Sequence, residues 1–300
     1  MKKLLLIFLL SLLMFGCTKE EIAKASDNDI LTLFSSETQN QDKIWVGTFQ
    51  LVWNDMKNYI IKRNIEFIQE KPTKELIGLN SEEFNKNMLN PSSYYTSYGK
   101  TKPSEKEKIK KDIKEKFNET SDILDSVDWS EGKGKYYAYA MLKKEFQFLE
   151  PFDKLTSASF NKSEEKYQYF GIDDDSKEIL NNNLSVLFYN NENDYAVRLY
   201  TKQDDIIYLY RTDDNKSLKL LFEDMKNKKE KYQGMKKFNS VDTLKIPNLK
   251  FKKLRNYKEL CNKQIKGTDL EFSDAIETIQ FELDNVGGKV KSEAIIMARL

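Results

Sequence analysis

Tyr136-Tyr137-Ala138-Tyr139-Ala140-Met141-Leu142 is the stretch on which the fold turns. It is apolar on both faces of an extended chain, which marks a strand in the middle of a sheet, covered on two sides. Beyond it the strand period persists. Leu184 to Tyr189, Tyr195 to Tyr200 and Ile206 to Tyr210 read as short strands, divided by the turn-forming Asn190-Asn191-Glu192-Asn193 and Asp204-Asp205. Thr243 to Phe251 is strand-like, with Pro247 marking an edge or a bulge. Thr278 to Leu283 alternates, placing Ile279, Phe281 and Leu283 on one side and Thr278, Gln280 and Glu282 on the other.

Upstream the period is helical. Trp45, Phe49, Val52, Trp53, Met56, Tyr59 and Ile60 predict an amphipathic helix over Ile44 to Ile61, and a short strand is expected at Ile65 to Ile68. Ser104 to Phe117 carries Ile109, Ile113 and Phe117 every four residues, after Pro103 and with Ser104 and Glu107 as a capping box. Its other faces are Lys and Glu, so it is expected to lie on a surface with one face buried. Leu218 to Tyr232 and Tyr257 to Ile265 complete the predicted helices. Helices first, then many strands joined by short turns, is an α+β pattern.

The amino terminus addresses the chain. Lys2 and Lys3 precede an apolar run from Leu4 to Phe15, interrupted by Ser11 and followed by Gly16-Cys17 and polar residues. The run is shorter than the roughly 20 residues that a spanning helix needs, so residues 1–17 read as a cleaved secretory signal. Gly16-Cys17 resembles the lipobox of bacterial lipoproteins, in which the cysteine thiol receives a diacylglycerol. Residues 18–42 are then a flexible, polar tether, and 43–300 one folded domain on the extracytoplasmic face of a membrane.

Composition narrows the chemistry. The net charge is +1 with both signs interspersed, unlike the one-sided basic surplus of a nucleic-acid binder. The 300 residues contain no histidine, which excludes Ser-His-Asp and Cys-His catalysis and zinc sites built on histidine. Cys17 and Cys261 are the two cysteines, so lipidation of Cys17 leaves no internal disulfide. Asp173-Asp174-Asp175 reads as a solvated turn, and Asp213, Asn215 and Ser217 are followed by Leu218 where a calcium-binding EF-hand needs glycine. The sequence calls for no cofactor or metal and offers no catalytic constellation.

The order of elements, with residues inside them, resembles the serpins. Ile109 to Phe117 is similar to the helix that lies across the serpin main sheet. Tyr139-Ala140-Met141-Leu142 through Phe146, Phe148, Pro151-Phe152 and Thr156 resembles strand three of that sheet and its exit. Ser185 to Tyr189 with Asp194 to Leu199 resembles the family's Tyr-containing strand pair, and Leu244 to Phe251 its Leu-Pro-Lys-Phe strand. Ile279 to Leu283 resembles strand five, and Asp284, Asn285, Val286, Gly287, Gly288, Lys289, Val290, Lys291, Ser292, Glu293 and Ala294 resemble the hinge of the reactive loop. The asparagine of the family's Asn-Ala pair has no counterpart, Tyr139 or Ala140 standing there. Lys289, Val290, Lys291 and Ser292 replace the small hinge residues, and Leu300 comes before the rest of the loop and the family's closing strands.

The resemblance implies a bait loop that a protease cuts and that then inserts beside Lys135 to Phe148. The protease would be the partner, and the protein an inhibitor rather than an enzyme. Unpaired lysines at 289 and 291 would oppose insertion, and their replacement by Thr and Ala would favour it. Arg299, the basic residue near the end, reads as a terminal charge rather than a bait. The alternative is a non-inhibitory surface lipoprotein that binds a protein, peptide or carbohydrate through exposed aromatics such as Tyr94, Tyr95 and Tyr98.

Overall fold

Ile109, Ile113 and Phe117 are buried on one side of a helix that crosses the larger sheet, as their spacing requires. The computed structural model describes residues 29–38, 42–159, 166–173, 177–203 and 205–300. Its helices are α1 (Thr48–Asp55), α2 (Lys74–Ser81), α3 (Pro103–Phe117), α4 (Lys177–Leu180) and α5 (Leu218–Lys231). Its strands are β1 (Tyr94–Lys100), β2 (Tyr136–Gln147), β3 (Asp153–Ser159), β4 (Lys166–Ile172), β5 (Leu184–Asn191) and β6 (Asp194–Tyr200). They continue as β7 (Ile206–Arg211), β8 (Leu244–Pro247), β9 (Leu249–Asn256), β10 (Glu271–Leu283) and β11 (Gly287–Arg299). The class is α+β, as the pattern of periods predicts.

The main sheet has the order β1-β2-β11-β10-β9, and each neighbouring pair is antiparallel. Two smaller sheets, β3-β4-β8 and β5-β6-β7, stand apart from it. β11 pairs with β10 from Gly288↔Leu283 to Arg299↔Glu271, and with β2 from Gly287↔Gln147 to Ala298↔Tyr136. Since β2 and β10 each run against β11, they point the same way, and β11 is the strand that separates them.

Both faces of this sheet are covered, which explains why β2 is apolar on both. On the inner side Ala138, Ala140, Ala294 and Ala298 present small side chains, and α1 packs over them with Phe49, Val52, Trp53 and Met56. Every residue of α1 is buried, and the helix runs on through a π-helical turn, Met56–Ile61. On the outer side Ile109, Ile113 and Phe117 of α3 meet Tyr137, Tyr139, Met141, Ile295 and Met297. Burying each such side chain stabilises the contact by about 1.5–3 kcal/mol.

The chain departs from its sequence-based expectations where local chemistry overrides pattern. Pro103 takes the first turn of α3, so the cap is Lys102 without a side-chain hydrogen bond and the Ser104–Glu107 box does not form. Pro247 ends β8, and β9 begins a different sheet at Leu249, so the expected single strand is two. Ile65 to Ile68 is no strand; Phe67 makes one isolated bridge with Ile265. Tyr257 to Ile265 holds only the 3-10 turn Lys258–Leu260. The expected tether is shorter than 18–42: Ile30 bridges Ile44, and Ile30, Leu31 and Leu33 are buried, so the domain reaches back to Asp29. Cys17 and the signal segment lie outside the described residues.

Candidate functional site

The hinge-like segment Asp284 to Ala294 forms the tight β10–β11 turn and the first half of β11. Asp284 Oδ1 accepts the N–H groups of Val286 (2.8 Å) and Gly287 (3.1 Å), and Asp284 N–H donates to Gly287 O (3.0 Å). The turn is tied to the exit of β2. Phe148 N–H donates to Val286 O (2.9 Å) and Phe152 N–H to Asn285 O (2.8 Å), while Asn285 Nδ2 returns a bond to Phe152 O (3.1 Å). A Cβ on Gly287 would stand 2.0 Å from the Phe146 carbonyl oxygen, so glycine is required here by the approach of β11 to β2.

The segment after α3 crosses the outer face of β11. Phe117 ends the helix and Asn118 turns the chain with φ 53°, a left-handed value that asparagine tolerates. Glu119, Thr120, Ser121 and Asp122 then lie over the strand. Lys289 Nζ meets Glu119 (2.8 Å) and Glu145 (3.5 Å). Lys291, 4% exposed, donates to Thr120 O (2.7 Å) and Asp122 Oδ2 (2.9 Å) and lies 3.3 Å from Glu293. Asp122 also receives Lys252 of β9 (2.8 Å) and Gln280 of β10 (2.7 Å). Lys143 of β2 reaches Phe117 O (2.9 Å) and Glu119 (3.0 Å).

Glu293 is the centre of this clamp and is 0% exposed. Its Oε2 accepts Ser121 Oγ (2.6 Å) and Tyr139 OH (2.8 Å), and its Oε1 accepts the Asp122 N–H (2.8 Å). Burial pushes its carboxyl up, against the opposing hydrogen bonds of Ser121 and the charge of Lys291. Burial also pushes Glu119 and Asp122 up, but lysine hydrogen bonds and charges outweigh it and hold both below the usual carboxylate range.

These contacts reverse one expectation. Lys289 and Lys291 are paired, not stranded, so they hold β11 in the sheet rather than oppose its place there, and changing them to Thr and Ala removes ion pairs. Sequence reasoning missed the partners because Glu119 and Asp122 read only as charges beyond a helix. Capturing Glu293 by Ser121 joins residues 172 positions apart, a distance no local pattern reveals.

The other candidates are scattered. Tyr94 packs against the core, and Tyr95 OH donates to Asp112 (2.8 Å). Only Tyr98 is well exposed, at 42%, stacked on Tyr59 (49% exposed) with ring centroids 4.3 Å apart. Arg299 pairs with Glu271 (2.9 Å) at the end of β11. Cys261 is half-buried, and burial pushes its thiol up to about 11. Ser217 caps α5 rather than facing an ion, and Asp174 and Asp175 lie outside the described residues.

No protein-family model and no curated protein matches the chain by sequence. The likeness to solved structures is one of shape. In fold the chain is similar to serpins. Emu ovalbumin aligns at TM-score 0.46 and 11% identity, over 70% of this chain and 67% of its own. The viral serpin CrmA aligns at 0.47 and 10%, over 69% and 82%. Reaction-loop-cleaved lamprey angiotensinogen aligns at 0.46 and 10%, over 74% and 79%.

Proposed function

We propose that the chain is a lipoprotein held on the extracytoplasmic face of a membrane through Cys17, whose serpin-like domain is a binding scaffold rather than a protease trap. The observation that carries this reading is the position of β11. A protease trap of the type the sequence resembles stores strain in an exposed loop and releases it when that loop enters the main sheet. Here residues 287–299 already lie between β2 and β10, with 287–298 paired to β2 and 288–299 to β10.

The scaffold reading is supported by the glycine fit and the clamp. Gly287 is shaped to the Phe146 carbonyl, and Lys289, Lys291 and Glu293 each have a partner in the segment above them. The anchor is supported by the signal-like start and Gly16-Cys17. Two long acyl chains would hold the domain at a surface, since each buried methylene contributes about 0.8 kcal/mol. The partner is a protein, peptide or carbohydrate, and the exposed Tyr59–Tyr98 stack is an aromatic surface available to it.

The test uses residues 18–300 with Cys17→Ser, incubated with a panel of serine and cysteine proteases and run on a denaturing gel. The scaffold reading expects no covalent adduct with any of them. An adduct whose mass places the cut between residues 284 and 300 would replace it with the inhibitor reading.

A further inference from the structure

Glu277 sits on β10 on the opposite face from the clamp, with Ala275 and Ile279, and is 0% exposed. Its Oε2 accepts a hydrogen bond from Tyr257 OH at 2.7 Å. The Phe49 N–H of α1 and the Ser292 hydroxyl of β11 face the same carboxyl. Yet Glu277 Oε1, Ser292 Oγ and the neighbouring Thr48 Oγ1 are all buried without completing a hydrogen bond. Ser292 is the diagonal neighbour of Glu277, since the strands pair Glu277↔Ala294 and Ile279↔Ser292. Three elements therefore meet at one carboxyl.

The charges around it do not neutralise it. Arg255 of β9 is its register partner, but the guanidinium donates to Ile30 O (2.6 Å) and Glu259 (2.6 Å) and lies over the Tyr257 ring, 4.1 Å from its centroid. Tyr257 is fully buried, stacked on Phe49 at 3.8 Å, and its own hydroxyl is held protonated by burial and by Glu277. β11 presents only Ser292 and Ala294 here, and the charged residue of α1, Asp55, lies at the far end of the helix, bound to Lys86. An ionised carboxylate so placed has one completed hydrogen bond, from the neutral Tyr257 hydroxyl, and a shared arginine, too little to replace its hydration. A proton on Oε1 removes the charge and supplies a donor to offer Ser292 Oγ.

We infer that Glu277 is carried as the neutral acid and pins β10 to β11 and to the start of α1, so that its ionisation loosens the hold of β11 in the sheet. Burial, which pushes this carboxyl up to about 8, agrees with the geometry. The two clamps then answer differently to pH. Outer carboxylates Glu119 and Asp122 work ionised, while the inner pin works protonated. The inference rests on β11 being a resident strand, and mildly alkaline solution is the condition that frees it.

Amide hydrogen exchange on the folded 18–300 chain, corrected for intrinsic rates, tests it at pH 6 and pH 9.5. Protection of Ile276–Ile279 and Ser292–Ile296 should fall roughly tenfold or more at the higher pH. Amides of α5 should keep theirs. In Glu277→Gln the fall should vanish. Equal falls in parent and variant, or none in the parent, overturn the pin while leaving β11 resident. Poor protection of Ser292–Ile296 at both pH values overturns the pin and the scaffold reading together. Infrared absorption of the parent protein removes dependence on the variant's folding: absence at pH 7 of a protonated carboxyl band that disappears by pH 9.5 also overturns the pin.

Discussion

Replacing Glu293 with alanine removes the acceptor on which the outer clamp converges. The carboxylate takes hydrogen bonds from Ser121 Oγ, Tyr139 OH and the Asp122 N–H, all within 2.6–2.8 Å, in a position with no solvent exposure. In the variant Tyr139 OH stays buried without its acceptor, the half-buried Ser121 hydroxyl and the Asp122 N–H lose theirs, and Lys291 loses one of its neutralising neighbours. Removing one member of a buried, hydrogen-bonded charged network costs about 3–5 kcal/mol, and each orphaned donor alone costs about 1–3 kcal/mol. A loss of about 4 kcal/mol follows, which for a domain of this size is roughly 8–16 °C in Tm. Urea unfolding of the parent, Glu293→Ala, Tyr139→Phe and the double variant measures it. The cycle should show coupling of at least about 1 kcal/mol between Tyr139 and Glu293. Loss below about 1 kcal/mol in Glu293→Ala, or no coupling, refutes the clamp as the device that holds β11.

Gly287→Val should destabilise by about 1–3 kcal/mol, the usual cost of forcing a side chain into filled space, since its Cβ would stand 2.0 Å from the Phe146 carbonyl oxygen; a melting temperature equal to the parent's contradicts the close approach. Stability should also pass through a maximum in weakly acid solution. Glu277 is raised from 4.5 to about 8, so the folded state holds more protons than the unfolded one across that window and stability falls as pH rises through it. At about 1.36 kcal/mol per pH unit the ceiling on that fall is about 5 kcal/mol. Glu119 and Asp122 are held low, so their contribution is present above their ordinary values and is lost as pH falls through their depressed ones. Denaturant midpoints from pH 3 to pH 9.5 check this, and a profile that keeps rising between pH 6 and pH 9 contradicts it.

The sequence was legible where burial sets a period. β2 is apolar on two faces because α1 and α3 cover both, and Ile279, Phe281 and Leu283 alternate because the inner face of β10 is core. α3 and α5 were legible for the same reason. β1 was not: Tyr94-Tyr95-Thr96-Ser97-Tyr98-Gly99-Lys100 is an edge strand, half-exposed, and its composition reads as a polar tyrosine patch. The start of β11 was hidden more deeply. Gly287-Gly288-Lys289-Val290-Lys291-Ser292-Glu293 reads as a mobile polar hinge. It is a strand because carboxylates and hydroxyls from the far side of the sequence satisfy its charges. Glycine there answers the nearness of β2, not a need to bend. Glu277 falls just outside the expected strand: carrying the alternation back one step from Ile279 puts it on the core face, but that strand begins at Thr278.

The most direct measurement of the account asks whether β11 lies against β2 in solution. Glu145 and Lys289 are register partners on the outer face, within the reach of a disulfide between antiparallel neighbours. In the 18–300 chain with Cys17→Ser and Cys261→Ser, the pair Glu145→Cys and Lys289→Cys should cross-link under mild oxidation. The pair Lys250→Cys and Lys289→Cys, with β10 between them, should not. A folded protein in which both thiols of the first pair stay free and label with maleimide would contradict the resident strand.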